Sequence, residues 1–162
     1  MKVAFVMGSD SDLPVVEKAI KVVEDFGIET TVRVISAHRT PAEAERFAKR
    51  ARENGIEVII AAAGKAAHLG GVLAAYTTVP VIGLPILSST LDGLDSLLSI
   101  VQMPPGIPVA TVGINAGENA GLLAVQMLSV KYEKLQGAMV EYRNRMEEKV
   151  KEADEKVSKK FK

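Results

Sequence analysis

The chain has 162 residues and no cysteine, with 20 basic side chains against 20 acidic ones. That length fits one domain, residues 1–162, whose core needs neither disulfide nor structural metal. The missing cysteines exclude a thiolate nucleophile, a disulfide framework and a zinc ribbon, and the cancelled charge offers no field to recruit nucleic acid or an anionic membrane. A small-molecule partner in a cytoplasmic setting is what this composition leaves.

The N-terminal run MKVAFVM ends too early for a secretory signal and passes into the acidic turn residues GSDSD. It reads as a strand over 3–7, and similar β-rich apolar runs follow at TTVRVI (30–35), EVIIAAA (57–63), VPVIGLP (79–85) and IPVATVG (107–113). Between the first two, Val15, Ala19, Ile20, Val23 and Phe26 recur at helical spacing, and Ala42, Ala44, Phe47, Ala48 and Ala51 do so after the second. The apolar stretch from Val58 to Tyr76 is cut by Lys65, His68 and several glycines, which argues against a membrane-spanning helix. From Tyr132 onward the chain is rich in Glu and Lys, with Leu135, Met139, Tyr142 and Met146 at helical spacing, so it reads as a long C-terminal helix over about 132–158 with frayed last turns. Strands that alternate with helices form a parallel sheet covered on both faces, because parallel neighbours need crossover connections. The expected fold is α/β: a flavodoxin-like, doubly wound, three-layer αβα sandwich with a five-stranded parallel sheet and a long C-terminal helix.

Three loops carry candidate chemistry, each directly after a strand. In MGSDSD (7–12), Gly8 permits a tight turn, and the hydroxyls of Ser9 and Ser11 with the amides of the following helix start form an anion cradle. Asp10 and Asp12 complicate this, since a carboxylate repels a phosphate, and an aspartate that accepts from ribose hydroxyls avoids the conflict; the plainer reading is that Ser11 or Asp12 only caps the helix. In SAHRTP (36–41), Thr40, Pro41 and Glu43 match a helix start with a capping box. This leaves Ser36, Ala37, His38 and Arg39 in a loop at the positive end of a helix dipole, where an arginine favours bidentate contact with phosphate. Arg39 and the dipole disfavour protonated His38 and a substrate carboxylate favours it, a balance suited to moving a proton near neutrality. The alternative is a histidine merely packed in a loop. In AAAGKAAHLGG (61–71), Gly64 ends the strand, and the small residues Ala66 and Ala67 let a planar ligand approach the backbone. His68 falls at or just before a helix start, with satisfaction by a backbone carbonyl as the plainer reading.

Ligands of doubly wound sheets bind outside the carboxyl ends of the strands, so these loops form one rim, and both histidines of the chain fall in it. No cysteine or suitably spaced carboxylate accompanies them, which argues against a metal. MGSDSD lacks the GxxxxGK[ST] pattern, GKAAHLGG is not GxGxxG, and no aromatic walls mark a flavin site, so no cofactor is expected.

In this order, GSDSD, SAHRTP, AGKAAHL and LDGLDSLLSIVQMPPGIPVATVGI cover most of residues 3–130 and closely resemble the PurE family, the catalytic subunits of phosphoribosylaminoimidazole carboxylase. SAHRTP with AAHL resembles its mutase class. The resemblance implies a cofactor-free enzyme of purine biosynthesis, an N-carboxyaminoimidazole ribonucleotide mutase that moves a carboxyl group from an exocyclic nitrogen to a ring carbon. It implies that Ser9, Ser11 and Asp12 hold phosphate and ribose, that Ser36 and Arg39 serve the phosphate side, and that His38 is the general acid and base. Gly64, Ala66, Ala67, His68 and Leu69 then line the pocket for the imidazole and the migrating carboxylate. Lys65 stands where the family commonly has glycine, and Gly70 where it has proline, which is expected to loosen the loop. The family is octameric, in keeping with the apolar run from Ile86 to Pro108, which would leave a large exposed patch on a monomer.

Two alternatives remain open at this point. One is the direct carboxylase, which uses free carbon dioxide. The other is a non-catalytic phosphate-ligand module such as a receiver, although Ala61, Ala62 and Ala63 occupy the strand end where a receiver needs an acceptor aspartate.

Overall fold

A computed structural model of the protein describes residues 1–161. The strands are β1 (Lys2–Met7), β2 (Glu29–Val34), β3 (Val58–Ala63), β4 (Val81–Pro85) and β5 (Ala110–Thr111). The helices are α1 (Leu13–Asp25), α2 (Pro41–Arg50), α3 (Leu69–Tyr76), α4 (Leu94–Val101), α5 (Gly117–Ser129) and α6 (Glu133–Lys160). Single 3-10 turns at Asp10–Asp12 and Leu91–Gly93 lead into α1 and α4. All strand pairs are parallel and the sheet order is β2-β1-β3-β4-β5, the flavodoxin-like winding expected above.

The sequence explains the two cores. Runs such as VIIAAA and VIGLP have no polar alternation, so they are stable only where helices cover both faces, and every residue of β3 and β4 is buried. Strand period two then sends Val3, Phe5 and Met7 towards α1, α5 and α6, and Ala4 and Val6 towards α2, α3 and α4. The first layer is drawn tight by small residues. A Cβ at Gly121 of α5 would lie 2.8 Å from the Ala19 carbonyl oxygen and 2.9 Å from Val22 Cβ of α1, and one at Gly117 would penetrate the Val15 carbonyl.

Three boundaries differ from expectation. β5 ladders for two residues only, because Pro108 has no amide to donate and Asn115 turns the chain with φ 56°. β2 runs along the sheet edge and is not covered on both faces: Val32 is 40% and Val34 55% exposed. α6 extends past the expected end near 158 and is helical to Lys160, with i,i+4 ion pairs Glu147–Lys151 and Glu155–Lys159 on its outer half. No helix among the described residues is long and apolar enough to cross a membrane.

Candidate active site

The loops after β1, β2, β3 and β4 close around a cavity of about 720 Å³ at the carboxyl ends of the strands. Its lining brings together every residue singled out in the sequence: Gly8, Ser9, Ser11, Asp12, Ser36, Ala37, His38, Arg39, Gly64, Lys65, Ala66, Ala67, His68 and Leu69. Ile86, Leu87, Ser88 and Ser89 of the β4 loop also line it and were not anticipated. The signal for them was present, since SST directly follows the strand run VIGLP, but it lay within a stretch read as an interface. Ser88 Oγ donates to Asp95 Oδ1 at 2.8 Å, and Asn115 Oδ1 accepts from the Leu87 amide at 2.9 Å, so α4 and the β5 loop fix this wall.

The β1 loop is more self-contained than an open anion cradle. Ser9 caps the 3-10 turn by accepting from the Ser11 amide at 3.3 Å, and the Asp12 amide donates to the Ser9 carbonyl at 3.2 Å. Two amides expected to face a ligand are therefore taken within the turn, while the Ser11 hydroxyl lies 2.9 Å from Ser9 Oγ. Neither plainer capping assignment describes the loop, because the Asp12 side chain makes no cap hydrogen bond to α1. Gly8 needs no left-handed backbone; its amide extends the ladder to Ala62 at 3.0 Å, and its carbonyl accepts from Arg39 Nη2 at 3.1 Å.

Asp12 is only 7% exposed. Burial pushes its carboxyl pKa up, and hydrogen bonds from the Ser9 backbone and the Ser11 hydroxyl only partly oppose this. A raised pKa in the folded state means that the fold loses stability as pH rises and Asp12 ionises. Asp12→Asn, which keeps an acceptor oxygen and stays neutral, is expected to raise the melting temperature at pH 7 by about 2–4 °C, corresponding to roughly 1 kcal/mol. The gain should shrink as pH falls through the raised folded-state pKa and vanish below about 4, where aspartate is protonated in the folded and unfolded chains alike. Thermal melts of both proteins at pH 3.5, 5 and 7 check this, and an equal difference at all three would remove ionisation as the cause.

In the β2 loop the capping box does not form. Thr40 is the N-cap residue and Pro41 follows it, but Thr40 Oγ1 turns back, accepting from the Ser36 amide at 3.0 Å and donating to the Ser36 carbonyl at 2.9 Å. Glu43 instead pairs with Arg33 at 2.9 Å and with Arg46. The competing charges draw the carboxylate away from the helix start, and the threonine closes a five-residue loop. Ser36 Oγ accepts from the Arg39 amide at 3.1 Å and from Arg39 Nε at 3.3 Å. Arg39 is thus held between Ser36 and Gly8, its guanidinium bridging the β2 and β1 loops.

The strongest feature was invisible in the sequence. His38 Nε2 lies 2.8 Å from His68 Nδ1, with the two rings edge to face and their centroids 5.0 Å apart. His68 is the N-cap residue of α3 and meets the other histidine, not a backbone carbonyl. At 2.8 Å one nitrogen donates and the other accepts, so the pair shares one proton across this contact. A proton taken up on one ring can be passed to the other, the behaviour needed of a group that gives a proton and later takes one.

The β3 loop turns at Lys65 and not at Gly64. Lys65 has φ 56°, a left-handed conformation that costs a residue with a side chain roughly 1–2 kcal/mol. Gly64 lies against the β4 loop, where a Cβ would stand 3.5 Å from the Ile86 carbonyl oxygen, an ordinary van der Waals contact. Gly70 does not loosen the loop, because it is buried in the first turn of α3.

Comparison with known proteins agrees with this geometry. A family model described as AIR carboxylase matches residues 2–149. The N5-carboxyaminoimidazole ribonucleotide mutase of Pyrococcus abyssi (strain GE5 / Orsay) is 61% identical over 145 residues, covering 90% of this chain and 83% of that protein. The mutase of the same name from Methanocaldococcus jannaschii is 52% identical over 160 residues, covering 99% of each chain. The crystal structure of Treponema denticola PurE superposes with a TM-score of 0.85 at 29% identity, covering 96% of this chain and 97% of that one. A match that spans all four rim loops and both layers of the sandwich leaves one conclusion: the chain belongs to the AIR carboxylase family.

Proposed function

We propose that the protein is an N5-carboxyaminoimidazole ribonucleotide mutase of purine biosynthesis, with His38 as the proton carrier. The observation that carries this reading is the His38–His68 pair, one shared proton facing a cavity whose other wall bears Arg39 and the Ser9 and Ser11 hydroxyls. The anion-seeking wall suits a nucleotide phosphate, with Asp12 beside it for the ribose. The imidazole then lies over Gly64, Ala66 and Ala67, where there is little side chain to obstruct a flat ring.

The chemistry is a pair of proton transfers around a short-lived carbon dioxide. Protonated His38 gives its proton to the carbamate nitrogen, the N–C bond breaks, and carbon dioxide and the neutral aminoimidazole remain in the cavity. The ring carbon attacks carbon dioxide, forming a C–C bond. The now neutral histidine then takes the proton from that carbon, restoring aromaticity and its own starting state. Positioned proton transfer of this type contributes roughly 100- to 10,000-fold, and confinement of the two reactants contributes through effective concentration. His68 keeps the His38 ring oriented through both half-reactions.

The same reading extends to assembly in the cytoplasm as a homo-oligomer, the octamer of the family resemblance. Leu94, Leu98 and Val101 form an apolar stripe along α4 and are 44–47% exposed, with Leu91 at 70% on the turn before it. A stripe of this kind is suited to a second subunit.

The test is direct. Purified protein incubated with carboxyaminoimidazole ribonucleotide is expected to interconvert it with the N-carboxy isomer in both directions, without added bicarbonate. Formation of product only from aminoimidazole ribonucleotide and carbon dioxide would make it a direct carboxylase, and no turnover with binding retained would make it a ligand module.

A further inference from the structure

We propose that Lys65 is a positioning residue that holds the migrating carboxylate, so that the cavity grips its substrate by two cations at opposite ends. The proposal rests on the mutase reading and adds to it which group recognises the carboxylated end.

Three observations carry it. The first is placement. The rim loops follow the strand order, so the β2 and β1 loops with Arg39 form one end of the cavity, and the β3 and β4 loops with Lys65 form the other. The histidine pair spans the middle, His38 coming from one side and His68 from the other. A ribonucleotide with its phosphate at Arg39 and its imidazole at the histidines presents the carboxylate towards Lys65. The second is charge. Among the described residues, Lys65 and Arg39 are the only Lys or Arg side chains lining the cavity, and Asp12, the one lining carboxylate, belongs to the β1 loop. Among the described residues Lys65 enters none of the ion pairs that engage other lysines and arginines. The third is backbone. Lys65 keeps a lysine in a left-handed conformation that glycine adopts without strain, so the residue type carries a stability cost that glycine would remove.

An ammonium that holds the carboxylate in both isomers contributes to binding before the transition state, so its loss raises KM and leaves kcat nearly unchanged. The experiment compares wild type, Lys65→Met, Lys65→Arg and Lys65→Gly in calorimetric binding of carboxyaminoimidazole ribonucleotide and of aminoimidazole ribonucleotide, which lacks the carboxylate. Lys65→Met is expected to weaken the carboxylated ligand about 10-fold and the uncarboxylated one less than twofold, with Lys65→Arg recovering most of the loss. Lys65→Gly should bind like Lys65→Met yet melt about 1–3 °C higher than wild type, which separates the role in binding from a role in folding. Equal weakening of both nucleotides, or no change in either, would overturn the proposal while leaving the mutase reading intact. If wild type bound neither nucleotide, the mutase reading would fall and this proposal with it.

Discussion

Replacing His38 by asparagine is expected to lower the rate of isomerisation by 100-fold or more in both directions, with nucleotide affinity changed little. Asparagine can still accept or donate a hydrogen bond near the His68 ring, but its amide carries no transferable proton at neutral pH. The size of the loss follows from how often His38 acts: one proton is given to nitrogen and one is taken from carbon in each turnover, so both half-reactions lose the same group. His68→Asn is expected to do less, because His38 keeps its own proton and loses only the 2.8 Å contact that orients it. Steady-state rates for the two variants, with nucleotide binding measured alongside, decide the matter. A loss below about 10-fold for His38→Asn would place the proton carrier elsewhere in the cavity.

The second large effect concerns stability and lies at the α1–α5 crossing. Gly121→Val is expected to cost about 3 kcal/mol or more, lowering the melting temperature by roughly 6–12 °C. The Cβ alone would meet the Ala19 carbonyl oxygen at 2.8 Å and Val22 Cβ at 2.9 Å, and the branched methyls of valine have no space beyond it. Neither neighbour is the mobile end of a long side chain, so α1 must move bodily, and the Ser9–Asp12 turn at its N-terminus moves with it. Activity should therefore fall with stability even well below the melting temperature. Gly137→Ala provides the contrast: the site on α6 is open and helical, and alanine there should stabilise by up to about 1 kcal/mol. Calorimetric melts of the two variants should move in opposite directions; a similar loss in both would implicate glycine chemistry in general and not this crossing.

The strand order and the rim loops were legible because they follow from local pattern. Runs such as VIIAAA have no polar face, MGSDSD and SAHRTP interrupt two runs with turn and hydroxyl residues, and parallel winding then forces those interruptions to one end of the sheet. What escaped the sequence depends on residues far apart in the chain or on competition between near neighbours. His38 and His68 are 30 positions apart, and nothing in either loop announces that the rings face one another. Thr40 and Glu43 have the spacing of a capping box, yet Arg33 and Arg46 outcompete the helix start for the glutamate. The Ser88 wall depends on Asp95 and Asn115, which pattern alone does not associate with that loop. Turn chemistry also misled at the β3 loop, where glycine was the natural candidate for the left-handed position and lysine occupies it.

The length of α6 has a thermodynamic consequence for the isolated chain. Of its 28 residues only Leu135 and Met139 are buried, both in the first two turns, so the outer half owes its order to helix propensity and to pairs such as Glu147–Lys151. Such a segment follows a helix–coil equilibrium of its own, with an opening free energy near zero at the tip that rises towards the sheet. Heat therefore removes ellipticity gradually from the C-terminal end before the sandwich unfolds. The far-ultraviolet signal and the heat-capacity peak are then expected not to coincide, with unfolding of the isolated chain a fraying followed by a cooperative transition.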